Sequence, residues 1–279
     1  MKPPPFEYHA PATVEEALQL LAGGNGSTYA LAGGQSLVQL MKFRAVRPSA
    51  LVDLNGVAGL DVLEERDGEL HVGALVRQQR LLEDEHVGAS WPLLREAARF
   101  VGYKETRRRG TVGGSLAFAA PWAELTAAAV ALDAAIDVQS LNGERTISAR
   151  SFFLGPNATA LERGELIVRV RFPAPPPRSG AAFHEVSARY RDYAQVAAAV
   201  VVSLDGTADL VLLRVASTPF HVDASSALED EGALEGLLAA IEPEDDIEVS
   251  AVYRRRVAPV LARRALREAA EHARQKEET

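Results

Sequence analysis

The sequence predicts an α+β fold in two domains, and three features carry that prediction. Strand-like and helical runs are mixed over residues 1–173. The stretch Pro173-Ala174-Pro175-Pro176-Pro177 interrupts regular structure, and beyond it strand-like runs give way to helical ones. Proline fixes φ and removes amide donors, so neither helix nor sheet is expected to run through that stretch. It therefore separates residues 1–173 from residues 178–279.

The elements follow in order. After a proline-rich start, Thr13-Val14-Glu15-Glu16 has the capping-box pattern: the threonine hydroxyl accepts from a first-turn amide and Glu16 reaches back. A helix is predicted over Thr13 to Ala22. Tyr29 to Ala32 and Leu51 to Leu54 are strand-like, making the opening a small α/β unit. Leu70 to Ala74 predicts another strand, and Trp91 to Val101 an amphipathic helix leading into the arginine-rich Thr106–Arg109. Glu124 to Ala134 is alanine-rich with helical patterning. Ile136–Ser140, the Asn142-Gly143 turn signal and Arg145–Ile147 predict a hairpin. Beyond the prolines, Val196–Leu204 and Asp209–Val215 flank an Asp205-Gly206 turn, as in a meander. Ala233 to Ile241 is apolar at helical spacing, and Arg255 to Lys276 predicts a long helix broken or entered near Pro259.

Composition limits the function. A chain of 279 residues, 47% hydrophobic, has enough apolar content to bury a substantial core. Thirty basic against thirty-eight acidic residues give a net charge of -8, which argues against nucleic acid as a partner because a phosphate backbone demands a basic surface. With no cysteine the chain has no disulfide, no thiolate-held iron–sulfur cluster and no cysteine nucleophile. The N-terminal MKPPPFEYHAP lacks a signal-peptide core, and the apolar run Ala194–Leu204 is too short to be a transmembrane segment, so the cytoplasm is the expected compartment.

Two glycine-rich segments stand out. Ala32-Gly33-Gly34-Gln35-Ser36-Leu37 follows a strand, and paired glycines allow positive φ angles that turn successive amides inward around a phosphate. A plain tight turn is the competing reading. Gly110-Thr111-Val112-Gly113-Gly114-Ser115-Leu116-Ala117 repeats the pattern with hydroxyl donors alongside. Neither fits the dinucleotide or P-loop fingerprints, and there is no convincing catalytic triad or metal-ligand cluster.

The order A-G-G-Q-S-L, then T-V-G-G-S-L-A, resembles the FAD subunits of the carbon monoxide dehydrogenase and xanthine dehydrogenase family of molybdenum hydroxylases. The likeness continues through Pro121 and Leu125, Asn142-Gly143-Glu144-Arg145, Phe152-Phe153-Leu154-Gly155, Gly164-Glu165-Leu166-Ile167, Phe183-His184-Glu185 and Arg189-x-x-Asp192-Tyr193-Ala194. It implies a vanillyl-alcohol-oxidase-type FAD-binding fold of two α+β subdomains, about 1–57 and 58–173, beside a C-terminal domain with an antiparallel sheet and helices. It also implies FAD as cofactor, bound through Leu31, Ala32, Gly33, Gly34, Gln35, Ser36 and Leu37, through Thr111, Gly113, Gly114, Ser115 and Ala117, and near Glu124, Leu166, His184 and Asp192.

Some positions keep two readings. Glu124 stands where relatives usually have aspartate and is either a hydroxyl acceptor or a first-turn acid favoured by the helix dipole. Ala120 replaces a usual aspartate. His184 takes a position where some relatives place lysine near the flavin, or is a surface strand histidine. Asp192 shapes the flavin entrance or caps a turn. Arg107, Arg108 and Arg109 face phosphate, a partner or solvent.

No acid–base residue is assigned as catalytic, because the resemblance implies a relay role. Electrons would pass from a molybdopterin-containing large subunit and a [2Fe-2S] small subunit, in a hetero-oligomer such as a dimer of heterotrimers, through FAD to an external acceptor. The alternatives are an independent flavin-dependent oxidoreductase of the same fold and a flavin-less scaffold subunit.

Overall fold

The computed structural model describes residues 2–24, 26–230 and 232–277. Its first unit contains β1 (Glu7–His9), α1 (Val14–Gly23), β2 (Thr28–Leu31), α2 (Leu37–Lys42) and β3 (Ala50–Asp53). The three strands form a parallel sheet in the order β1-β3-β2, with helical connections as parallel pairing requires. The capping box forms at α1. Thr13 Oγ1 accepts from Glu16 N at 3.2 Å, and Glu16 Oε2 reaches back to the amide of Ala12 at 2.8 Å, one residue earlier than the simple pattern. Ala17 and Leu18 then bury against Val52 and Leu54.

The second unit is larger. It contains β4 (Leu63–Arg66), β5 (Glu69–Gly73), α3 (Gln78–Glu83), α4 (Glu85–Ser90), α5 (Pro92–Phe100), α6 (Lys104–Arg109), α7 (Val112–Phe118) and α8 (Glu124–Ala131). There follow β6 (Ala135–Ser140), β7 (Gly143–Ser148), α9 (Ala149–Phe152), the small pair β8 (Phe153–Gly155) and β9 (Ala158–Thr159), and β10 (Leu166–Pro173). The main sheet is antiparallel in the order β4-β5-β10-β6-β7. In the expected hairpin Ser140 pairs with Gly143, so Leu141 and Asn142 form the two-residue loop and Gly143 takes the positive φ of 130°. Every residue of α8 is buried, as an alanine-rich helix without a polar face demands.

The second glycine-rich segment is mostly not a loop. Thr111 caps α7, and Gly113 and Gly114 lie inside its first turn. The arginine-rich stretch is itself helical, as α6.

The C-terminal sheet is an antiparallel meander of β11 (Ser179–Ser187), β12 (Ala194–Ser203), β13 (Ala208–Leu213) and β14 (Phe220–Asp223), followed by α10 (Ser226–Glu229), α11 (Ala233–Leu237) and α12 (Ala251–Glu277). Strand alternation divides its apolar residues between two faces. Ala182, Val196, Ala198, Val200, Leu210 and Leu212 pack beneath Ala262, Ala265 and Ala269 of α12. Gly180 permits that approach, since a Cβ there would lie 2.1 Å from Ala269 O. The opposite face, including Ala181, Phe183, Ala197, Val211 and Leu213, joins the core of the second unit. Phe100 and Phe183 meet there with ring centroids 5.3 Å apart. Among the described residues, no helix is long and apolar enough to cross a membrane.

Candidate functional site

The chain leaves β2 at Leu31 and turns through Gly33 and Gly34, the latter at φ 72°, into α2. Among the described residues, no protein acceptor takes the amides of Gly33, Gly34, Gln35, Ser36 or Leu37. Ser36 is the N-cap of α2, yet its hydroxyl makes no capping hydrogen bond and remains available to donate elsewhere. A run of unpartnered amides on a half-buried turn presents a field suited to an anion.

The turn is pressed against the approach to α7. A Cβ on Gly33 would stand 2.2 Å from Arg109 O and 2.9 Å from Gly110 Cα, and one on Gly114 would lie 3.7 Å from Ala32 Cβ. Thus the two glycine-rich segments are direct neighbours, although they are far apart in sequence. Arg77 braces the pair. Its Nη2 donates to Asn55 Oδ1 at 2.6 Å, Asn55 Nδ2 donates to Ala32 O at 3.0 Å, and Arg77 Nη1 donates to Arg109 O. The sequence gave no hint of Arg77 or Asn55 in this role, because their significance lies in reaching two chain segments at once.

The second segment differs electrostatically from the first. The amides of Val112 and Gly113 bond Val76 O and Ala74 O, that of Gly114 bonds Thr111 Oγ1 at 3.1 Å, and that of Ser115 bonds Thr111 O. Its backbone amides are therefore occupied within the protein. It offers the opposing wall, with Gly113 set so closely on Ala74 that a Cβ would lie 2.6 Å from the alanine methyl. Ser115 is half-buried and Ala117 exposed. Leu166 joins Leu54, Val57, Leu75 and the partly buried Ala32 in the small core behind the first turn.

From α7 the chain passes Ala119, left-handed at φ 47°, and reaches Glu124 at the start of α8. Glu124 is buried, and burial raises its carboxyl to about 7 despite a stabilising hydrogen bond to its own amide. Ala120 is buried as well, so its methyl fills an apolar position.

His184 and Asp192 lie apart from the two glycine-rich segments. His184 Nε2 meets Glu268 Oε2 on α12 at 2.7 Å, on the far face of β11. Its neighbour Glu185 has the opposite parity, that of Ala181 and Phe183, and so turns toward the second unit. Glu185 was not singled out from the sequence, because Ala182 and Val186 are as apolar as Ala181 and Phe183 and conceal which face is which. Asp192 closes a turn: its amide donates to Arg189 O and its Oδ1 accepts from Tyr193 N at 3.0 Å. Arg107 is 3% exposed and bonds Gln79 Oε1, Val101 O and Gly102 O, so it is an internal brace, while Arg108 and Arg109 are exposed.

Comparison with known proteins agrees with this arrangement. The family described as the FAD binding domain in molybdopterin dehydrogenase matches residues 4–175. The chain is 38% identical to the 6-hydroxypseudooxynicotine dehydrogenase complex subunit alpha of Paenarthrobacter nicotinovorans, over 100% of this chain and 99% of that relative. It is 33% identical to the carbon monoxide dehydrogenase medium chain of Afipia carboxidovorans, over 96% and 98% of the two chains. The structure superimposes on a chain of reconstituted CO dehydrogenase from Oligotropha carboxidovorans with a TM-score of 0.92 at 33% identity, covering 98% of this chain and 100% of that one.

Proposed function

The chain belongs to the family of FAD binding domains in molybdopterin dehydrogenases, and from that membership we propose that it is the FAD-binding, electron-relaying subunit of a molybdenum hydroxylase. The observation that carries this reading is the run of free amides from Gly33 to Leu37, with the Ser36 hydroxyl beside it. A pyrophosphate fits that donor set, since neutral amides bind a dianion without demanding a basic surface from an acidic protein. Gly33 and Gly34 let the backbone make the turn, and Thr111, Gly113, Gly114 and Ser115 form the facing wall. Arg77 and Asn55 hold the walls in register.

When bound, FAD takes up electrons singly and releases them in pairs. The chain's own task is then to bind, orient and shield the cofactor, in keeping with its lack of a nucleophile or thiolate cluster. The reading assigns an oxidoreductase role within a hetero-oligomer. A molybdopterin-bearing large subunit would oxidise substrate, and a [2Fe-2S] small subunit would carry electrons to this chain.

The test is to co-express the chain with candidate partners encoded beside it, purify the assembly, and measure flavin absorbance, released FAD, molybdenum and iron. The expected result is about one FAD per copy of this chain, with both metals in the co-purified assembly. A colourless protein that FAD cannot reconstitute overturns the reading.

A further inference from the structure

Two acidic side chains meet where the family-matched region packs on the C-terminal sheet, and neither has a basic partner. Glu124 opens α8, itself buried throughout, and is 7% exposed. Glu185 pairs with Ala197, which pairs with Leu213, and all three lie on the sheet face turned toward the second unit. Its Oε2 is sealed from solvent with no hydrogen-bond partner. A buried polar atom is ordinarily satisfied, so an orphaned carboxylate oxygen in an apolar interface asks for a proton or a ligand.

The surroundings favour a proton. Burial raises Glu185 to about 9, and the neighbouring charge of Glu124 adds to it. Charged groups on the elements around the pair have other engagements or point elsewhere. Arg95 and Arg99 on α5 are exposed, with Arg99 paired to Glu96. Asp209 on β13 pairs with Arg150 and His221, and Arg214 with Asp246. In the 188–193 turn, Arg189 is exposed, Arg191 lies over Tyr190 and Asp192 caps the turn. Two carboxyl groups in mutual contact do not both ionise readily, so they titrate as a unit that retains a proton near neutrality.

The location follows from the chain path. The pyrophosphate wall is at the N-terminal end of α7, and seven residues of helix carry the chain about 10 Å onward to the turn before Glu124. That span compares with the ribityl arm joining pyrophosphate to flavin ring. On the outer side, Trp122 and Tyr193 meet with ring centroids 4.7 Å apart, and Tyr193 is 60% exposed. Thus the pair lies close to a water-facing aromatic rim.

We propose that Glu124 and Glu185 form a proton-sharing carboxyl pair beside the flavin, and that the pair supplies the proton accompanying two-electron reduction of bound FAD. This rests on the FAD-binding reading above. Two electrons arrive from one-electron carriers of the iron–sulfur class, one proton leaves the pair for the flavin, and the pair regains a proton from solvent past Trp122 and Tyr193. Charge on the reduced flavin is thereby limited without a lysine or arginine at the site.

The test uses the FAD-loaded complex and the Glu185→Gln and Glu124→Gln variants, each isosteric with the original. Infrared difference spectra on flavin reduction are expected to show loss of a protonated-carboxyl band in the native protein, altered in both variants. Reduction at neutral pH by a one-electron donor is expected to slow about tenfold or more in Glu185→Gln, with a changed pH profile. In the protein without FAD, the same carboxyl band is expected to persist above the usual glutamic-acid range and to weaken in Glu185→Gln. FAD-loaded protein whose carboxyl band ignores flavin reduction, or whose reduction rate and pH profile ignore both substitutions, overturns the proton-supply proposal alone. Failure of the native chain to bind FAD removes both that proposal and the reading beneath it.

Discussion

Gly33 shows how much can depend on one missing methyl. Its neighbours on the other segment are backbone atoms, Arg109 O and Gly110 Cα, which cannot swing aside as a side-chain tip would. Gly33→Ala is therefore expected to part the two walls and reduce FAD affinity by at least about tenfold, roughly 1.4 kcal/mol, read by equilibrium dialysis or flavin fluorescence. Gly23→Ala is the control. It ends α1 with open space around its Cβ position, and is expected to leave FAD affinity unchanged and stability equal or up to about 1 kcal/mol higher. Residues like Gly33 are legible in sequence because paired glycines announce an unusual backbone. Arg77 and Asn55 are not, since an arginine and an asparagine 22 residues apart carry no local sign of meeting. Glu185 escaped for a different reason: on a strand apolar on both faces, parity alone does not say which side is which.

At the level of elements, the segment from Gly110 to Ala117 is a helix start, and that changes what its residues do. Thr111 is 2% exposed, and its hydroxyl accepts the Gly114 amide while its carbonyl accepts that of Ser115. Thr111→Ala removes a buried cap and is expected to cost about 1–2 kcal/mol, measured by urea denaturation, with Thr111→Ser recovering most of it. Strong local signals were readable in this way: the capping box at α1, the Asn142-Gly143 hairpin, the Asp205-Gly206 turn and the alanine-rich α8. Strands β4, β10, β11 and β14 were less so. Arg169 and Arg171 give β10 a polar face that hides its central place, and those arginines are tolerated because both bond Asp137 across the sheet. The arginine-rich α6 misleads similarly, since a run of charge suggests solvent while Arg107 folds inward onto two backbone carbonyls.

At the level of the whole molecule, the C-terminal sheet is clamped between α12 and the second unit, so burial on its inner face couples the stability of both parts to the protonation of Glu124 and Glu185. A carboxyl raised by burial stabilises the fold fully below its unfolded value near 4.5, and that contribution is lost as pH climbs through the folded values of about 7 and about 9. Asp137 acts in the opposite sense. Burial pushes it up, but hydrogen bonds from Arg171, Thr146 and Arg169 outweigh burial and hold it below 3.8, so its contribution is present above that value and lost on acidification. The two limbs leave a maximum in the mildly acidic range, between the acid loss at Asp137 and the alkaline loss at the glutamates. Melting temperature of the isolated FAD-free chain, followed from pH 4 to pH 9, is expected to peak near pH 5 and fall toward pH 9, on the order of the shifts just named. Glu185→Gln removes the larger alkaline term and is expected to flatten that fall and move the peak toward neutrality, while leaving the acid limb where Asp137 sets it. A native profile that stays level from pH 5 to pH 9, or a Glu185→Gln profile that tracks the native one, would show that the interface does not resist ionisation of these carboxyls.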